Sequence, residues 1–155
     1  MSSPLTEVLR DLKATFDRST SWLTEEDAAF APAEGMYTAA QHVAHVAQTV
    51  EWFVEGAFRA HGFNLDFAAL DEAVRAVATE AEARAWLDRA FDAACAVLDA
   101  KSAEDMGQPI ANGPILGGAP RMAIVGGITD HTAHHRGALT VYARLCGKQP
   151  PLPYA

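Results

Sequence analysis

Apolar residues recur at three- and four-residue steps in four separate stretches of this chain, and that spacing commits most of it to long amphipathic helices. In the first, Leu5, Val8, Leu9, Leu12 and Phe16 share a face behind Ser3 as N-cap and Pro4 at the first helical position. That helix is expected to run to about Ser21. The second opens at Thr38 with Gln41 three residues on, a capping box, and carries Val43, Val46, Val50, Phe53, Val54 and Ala57 on its apolar side to about Ala60. The third opens at Thr79 with Glu82 in the same relation and runs through Trp86, Leu87, Phe91 and Leu98 to about Lys101. The fourth is expected from about Pro120 to Gly147, a suitable C-terminal glycine. Gly126 and Gly127 lie inside it and each weakens a helix by about 1 kcal/mol relative to alanine. Close packing of a neighbouring helix is the expected compensation.

Between these stretches, T-E-E-D at 24–27 suits one short turn of helix and residues 66–77 are weakly helical. Residues 102–119, with four glycines and two prolines, form the main irregular stretch. A loop of that length is expected to cover or build a site, and its P-I-L-G-G-A-P piece to hold a short extended segment. The tail, 148–155, is proline-rich. Four long helices without a strand pair make an all-α four-helix bundle the expected fold, one domain over residues 1–155.

At 155 residues the chain can bury a full core. Half of it is apolar and 21% charged, a globular balance. A formal charge of −8 and the lack of a basic run argue against a nucleic-acid partner. The start, M-S-S-P-L-T-E, has no basic region followed by an apolar run, so no signal peptide is expected. No uncharged apolar run approaches the roughly 20 residues of a membrane span. Cys95 and Cys146 lack C-x-x-C spacing and fit reduced thiols in a cytoplasmic protein. No G-x-G-x-x-G, P-loop, G-x-S-x-G or H-E-x-x-H is present, which removes the commonest nucleotide and hydrolase readings.

Three of the six histidines fall in I-T-D-H-T-A-H-H-R-G-A-L, residues 128–139. His131 and His135 are four apart, one above the other on a helix, in a stripe with Ile124, Ile128, Ala138, Tyr142 and Leu145. His134 lies beside that stripe. An unpartnered polar group on such a face costs about 1–3 kcal/mol, so the pair either bonds to core partners or shares a divalent ion. A third ligand would come from His42 or His45. Periodicity sets His42 nearer the apolar stripe of the second helix; His45 aligns with Thr49, Trp52 and Gly56, a mixed face able to line a pocket. His61 is expected in a solvated loop.

The segment Y-T-A-A-Q-H-V-A-H-V, together with D-H-T-A-H-H-R-G-A-L, resembles the DinB-like (YfiT-like) superfamily. The resemblance implies a four-helix bundle with a divalent metal held by one second-helix histidine and an H-x-x-x-H-R-G motif in the fourth. That motif falls on His131, His135, Arg136 and Gly137. The family's second-helix histidine lies about two helical turns after an aromatic that precedes Ser or Thr. Tyr37 and Thr38 hold those positions, so the resemblance selects His45 over His42. Ala138 stands where many relatives have glutamine, and no amide contact is expected there.

The implied site is one divalent ion, nickel or zinc, on His45, His131 and His135, with positions open to water or a small-molecule substrate. A low-molecular-weight thiol is a further cofactor candidate, because the wider family includes thiol transferases using bacillithiol, mycothiol or glutathione, and a maleylpyruvate isomerase. Trp52 could wall the pocket, and Arg136 could bind an anionic substrate or pair with a neighbouring helix. Asp130, Glu51 and Glu55 suit solvated faces, Tyr142 and Trp86 the core. Cys146 lies about 22 Å from His131 by helix rise, too far for a catalytic thiol. The expected function is a metal-dependent enzyme activating a thiol or water for transfer or hydrolysis. The alternative is a non-catalytic metal- or ligand-binding stress-response bundle. Exposed Trp52 or Phe58 could support a homodimer, the state of many relatives.

Overall fold

The computed structural model describes residues 3–155. They form six helices: α1 (Pro4–Ser19), α2 (Ala39–Phe58), α3 (Phe67–Arg75), α4 (Glu80–Asp99), α5 (Ala103–Gly107) and α6 (Ala123–Leu145). Three long helices begin where local chemistry starts them. The Ser3 hydroxyl accepts from the Thr6 amide, with Pro4 filling the first turn. Thr38 with Gln41 and Thr79 with Glu82 close reciprocal capping boxes. At the other end of α6, Gly147 takes φ +72°, the left-handed conformation that ends a helix without a Cβ penalty.

The four long helices make a bundle in which α2 packs on α4 and α6, and α1 packs on the same two. Among the described residues α1 is not a neighbour of α2, nor α4 of α6. The cyclic order is therefore α1, α4, α2, α6, and the chain crosses the diagonal twice. A diagonal crossing cannot be made by a tight helix–helix turn, so residues 20–38 and 100–122 are long for a reason of topology. α2 is the innermost helix, with 13 of its 20 residues buried. Its Ala39, Ala40, Ala44 and Ala47 and the α4 residues Ala83, Ala90 and Ala94 are buried small side chains that allow close helix approach. Phe16, Phe91, Leu87, Leu98, Ile124, Ile128 and Leu139 fill the remaining core.

Residues 66–77, weakly helical by pattern, do hold a short helix, the nine-residue α3, capped by Asp66 and anchored by the fully buried Val74. Several other expectations need correction. The 102–119 stretch contains α5, whose capping box uses Ser102 and Asp105. Its P-I-L-G-G-A-P piece is a turn over 114–118, where Leu116 and Gly118 take positive φ and Gly118 N–H donates back to Ile110 O, and only its end is extended, as an isolated antiparallel bridge of Pro120 with Pro109. Nor does this loop reach the histidines. Arg121 ties it to the C-terminal end of α2 by donating to Ala57 O and stacking on Phe58, and Ala57 is about 18 Å along the helix from His45. On α6, Leu145 is 57% exposed while Thr132, Leu139 and Ala143 are buried. The buried face is wider than one stripe because α6 packs on both α2 and α1. Trp52 and Phe58 are half-buried, Phe58 lying under Lys101 and Arg121. No helix among the described residues is long and apolar enough to cross a membrane.

The paired glycines of α6 differ in kind. A Cβ on Gly126 would meet nothing within 4 Å, whereas one on Gly127 would sit 2.6 Å from the Phe53 ring. Gly126→Ala should therefore raise the stability measured by urea unfolding by about 1 kcal/mol, the ordinary helix-propensity gain. Gly127→Ala should gain less or lose stability, because the ring must shift; equal gains at both positions would mean that Phe53 moves aside freely.

Candidate metal centre

The register between α2 and α6 brings the histidines together. His42 meets Tyr142, Thr49 meets His131, Phe53 overlies Gly127 and Ala57 accepts from Arg121. Rising numbers on α2 meet falling numbers on α6, so the two helices are antiparallel. His45 then faces His131 and His135 one helical turn apart. The ring centroids of His45 lie 4.8 Å from both, and those of His131 and His135 are 4.5 Å apart. One ligating atom from each of the three lies within 4.8 Å of the others, a group that could hold a metal ion.

The donor set fits a divalent ion. Nε2 of His45 and Nε2 of His131 are 3.2 Å apart, the separation of two imidazole nitrogens each about 2.0–2.1 Å from one shared ion at a near-tetrahedral angle. The other ring nitrogen of His45, Nδ1, is buried without a hydrogen-bond partner, and an ion at Nε2 would leave it so. Burial lowers the pKa of all three imidazoles, and together with the neighbouring histidines it brings His131 to about 4 and His135 to about 2. Each ring is neutral and keeps a lone pair, the form that binds metal.

His42 has a different task. Periodicity set it nearest the apolar stripe, and it is 8% exposed, bonded to His135 and Tyr142. The Tyr142 hydroxyl donates to Tyr37 O at 2.8 Å, so at 3.1 Å it must accept from His42 Nε2. Burial, with His45 and His134 nearby, lowers the His42 pKa to about 4, so the ring is neutral and its Nδ1 carries no proton. The 2.8 Å contact between the two Nδ1 atoms is then a bond donated by His135. Assigned from this network, His135 holds its proton on Nδ1 and leaves Nε2 with a free lone pair.

Beside the imidazoles opens a cleft of about 380 Å³ lined by α2, α3, the residue before the α2 cap and His131 of α6. Trp52 and Thr49, from the mixed face that carries His45, lie in its wall; Tyr37, Gln48, Phe67, Leu70 and Asp71 were not picked out as wall residues from sequence. Tyr37 donates to Asp71 Oδ1 at 2.5 Å, and Asp71 also pairs with Arg75 at 2.7 Å. Burial and that carboxylate push the Tyr37 phenol up to about 12, so it keeps its proton, while its hydrogen bond and that of Arg75 hold Asp71 below the usual carboxylate range. Arg136 does not line the cleft: it stacks on Tyr154 of the C-terminal tail, 5.5 Å from the ring centre. His61, His134, Asp130 and Glu55 are exposed, Glu55 paired with Arg59. Tyr142 is core, whereas Trp86 is half-buried.

His42 titrates near 6.5 in an unfolded chain and at about 4 in the fold. The unfolded chain binds the extra proton between those values, so stability is complete above the upper one and falls as the pH drops toward the lower. From about pH 8 to pH 5 His42 alone removes on the order of 2 kcal/mol. Thermal unfolding of metal-free protein should show Tm falling over that range, and falling less in His42→Gln. A Tm that stays level would contradict the burial of neutral imidazoles.

A model of the DinB superfamily matches residues 5–139. No curated protein matches the chain. Among solved structures it is similar to YfiT from Bacillus subtilis, described as a probable metal-dependent hydrolase with an unusual four-helix bundle topology. The two share 18% identity over 94% of this chain and 87% of that one, with a TM-score of 0.70, a likeness of fold. With the family match running from α1 into α6 and taking in both histidine segments, this chain belongs to the DinB superfamily.

Proposed function

We propose that the protein is a metal-dependent enzyme acting on a small molecule, with one divalent ion, zinc or nickel, held by His45, His131 and His135. The observation that carries this reading is the convergence of three neutral imidazoles, one with its tautomer set from behind, at the end of an apolar cleft. Three protein ligands leave coordination positions open, and zinc and nickel both suit imidazole. A bound ion supplies Lewis acidity and lowers the pKa of a water or thiol toward neutrality.

The chain's own residues supply the rest. His42 orients His135, and the Tyr142–Tyr37 bond orients His42. Asp71 is the one carboxylate among the residues lining the cleft and stays ionised, so it can take up the proton that an attacking nucleophile gives up. Tyr37, protonated and bonded to it, holds Asp71 in place. Trp52, Phe53, Phe67 and Leu70 exclude water from the substrate side. Among the described residues no lysine or arginine lines the cleft, which favours water over an anionic thiol cofactor as nucleophile and hydrolysis over thiol transfer. The same reading takes the protein to be cytoplasmic and homodimeric, which fits its two free thiols and is checked by its mass in solution.

Elemental analysis of the purified protein should find one equivalent of zinc or nickel in the wild type and almost none in His45→Ala, His131→Ala or His135→Ala. His42→Phe should still bind metal, with affinity lower by about 10- to 100-fold, the usual cost of losing a ligand's hydrogen-bond partner. A wild type that stays metal-free after incubation with both ions would end this reading. Stoichiometric metal without turnover of any ester, amide or thiol substrate would favour a binding bundle instead.

A further inference from the structure

We propose that the cleft is specific for a small molecule carrying a flat uncharged group, an aryl ring above all, joined to a single polar head that reaches the imidazoles. The inference rests on the metal reading above and deepens it to a class of substrate.

The wall is aromatic and it is built. Trp52 sits two turns beyond His45 on α2, about 10 Å along the helix, a distance that one ring and a short head would span. Its indole is held in one orientation: Nε1 donates to Asn64 O at 2.7 Å, and the Phe63 and Phe53 rings lie 4.5 and 5.2 Å away. Two glycines make room for those supporting rings. A Cβ on Gly56 would fall 2.3 Å from the Phe63 ring, and one on Gly127 2.6 Å from Phe53. Across the mouth Phe67, 6.2 Å from the indole, is 56% exposed although it opens α3. Water-facing aromatic surface beside a cleft marks a place where an apolar group docks. At about 380 Å³ the cavity is small for a ligand site, where roughly 300–1,000 Å³ is usual.

Charge narrows the class further. Among the described residues no Lys or Arg lines the cleft. The adjacent guanidinium, Arg75, is engaged with Asp71 and lies 4.8 Å over the Tyr37 ring. Beyond the head that reaches the ion, a ligand's further carboxylates would have to lie against aromatic rings with no lysine or arginine to pair with, which is unfavourable where water is excluded. A multiply charged thiol such as glutathione is therefore disfavoured, and a neutral aryl compound is favoured.

The test uses the zinc-loaded full chain and calorimetric titration with benzohydroxamate, acetohydroxamate and reduced glutathione. Both hydroxamates offer the same head to the metal, and only one carries a ring. Benzohydroxamate should bind about tenfold tighter or more than acetohydroxamate, the gain for burying a phenyl group, and tighter than glutathione. The ratio between hydroxamates should shrink in Trp52→Ala and also in Phe67→Ala, whose exposed side chain is not needed for folding. Equal binding of the two hydroxamates to zinc-loaded protein, or glutathione binding as tightly as benzohydroxamate, would overturn the aryl specificity and leave the metal centre standing. Failure of the protein to take up zinc would instead remove the metal reading and this inference with it.

Discussion

Four contacts in register run along the interface of α2 and α6: His42 with Tyr142, Thr49 with His131, Phe53 with Gly127, and Ala57 with Arg121. The antiparallel packing they define is the constraint on which the site depends. It sets His45 opposite two imidazoles one turn apart, and it is pinned at both ends by polar bonds to backbone oxygens, Tyr142 to Tyr37 O and Arg121 to Ala57 O. A shift of one turn would move contacting residues by about 5.4 Å along the axis. It would separate the imidazoles and drive the Phe53 ring into a position that has a Cβ.

Two histidines three residues apart on α2 divide the work between the core and the cleft. His42 faces inward, where it hands no charge to the interior and passes a hydrogen bond from His135 to Tyr142. His45 turns partly outward, toward His131 and the cleft. Burial of neutral imidazoles keeps their lone pairs available and at the same time makes the fold sensitive to acid, because the unfolded chain accepts protons that the folded one refuses. A polar cluster of this kind lowers stability at its own position, and the dense core of α2 against α4 offsets it.

The connectivity explains what the long loops are for. With α1 diagonal to α2 and α4 diagonal to α6, each crossing must traverse an end of the bundle. Residues 20–38 cross beside the histidines: Ala28 O and Phe30 O accept the first amides of α2, and Tyr37 enters the cleft wall. Residues 100–122 cross at the other end, where Lys101 and Arg121 cover the Phe58 ring and Arg121 donates to Ala57 O. The segment between α2 and α4 joins adjacent helices, which frees α3 to lie over the outer side of α2 and close the cleft with Phe67, Leu70 and Asp71.

The starts of α1, α2 and α4 were legible in the sequence because a cap is decided by residues three apart, and so were the bundle and the facing histidine clusters, because periods of three and four report which side of a helix is apolar. The same periodicity located His42 in the core, and resemblance to a family, not spacing, selected His45 beside it. α5 was hidden because its cap uses Asp105 in place of the longer Glu or Gln, and the turn at 114–118 because a run such as P-I-L-G-G is compatible with several backbone paths until Ile110 supplies a hydrogen-bond acceptor. Beyond these, the wall of the cleft, the proton on Nδ1 of His135 and the docking of Arg136 on Tyr154 depend on groups far apart in the chain. Local patterns could say which residues avoid water; which of them meet was decided only when the helices packed.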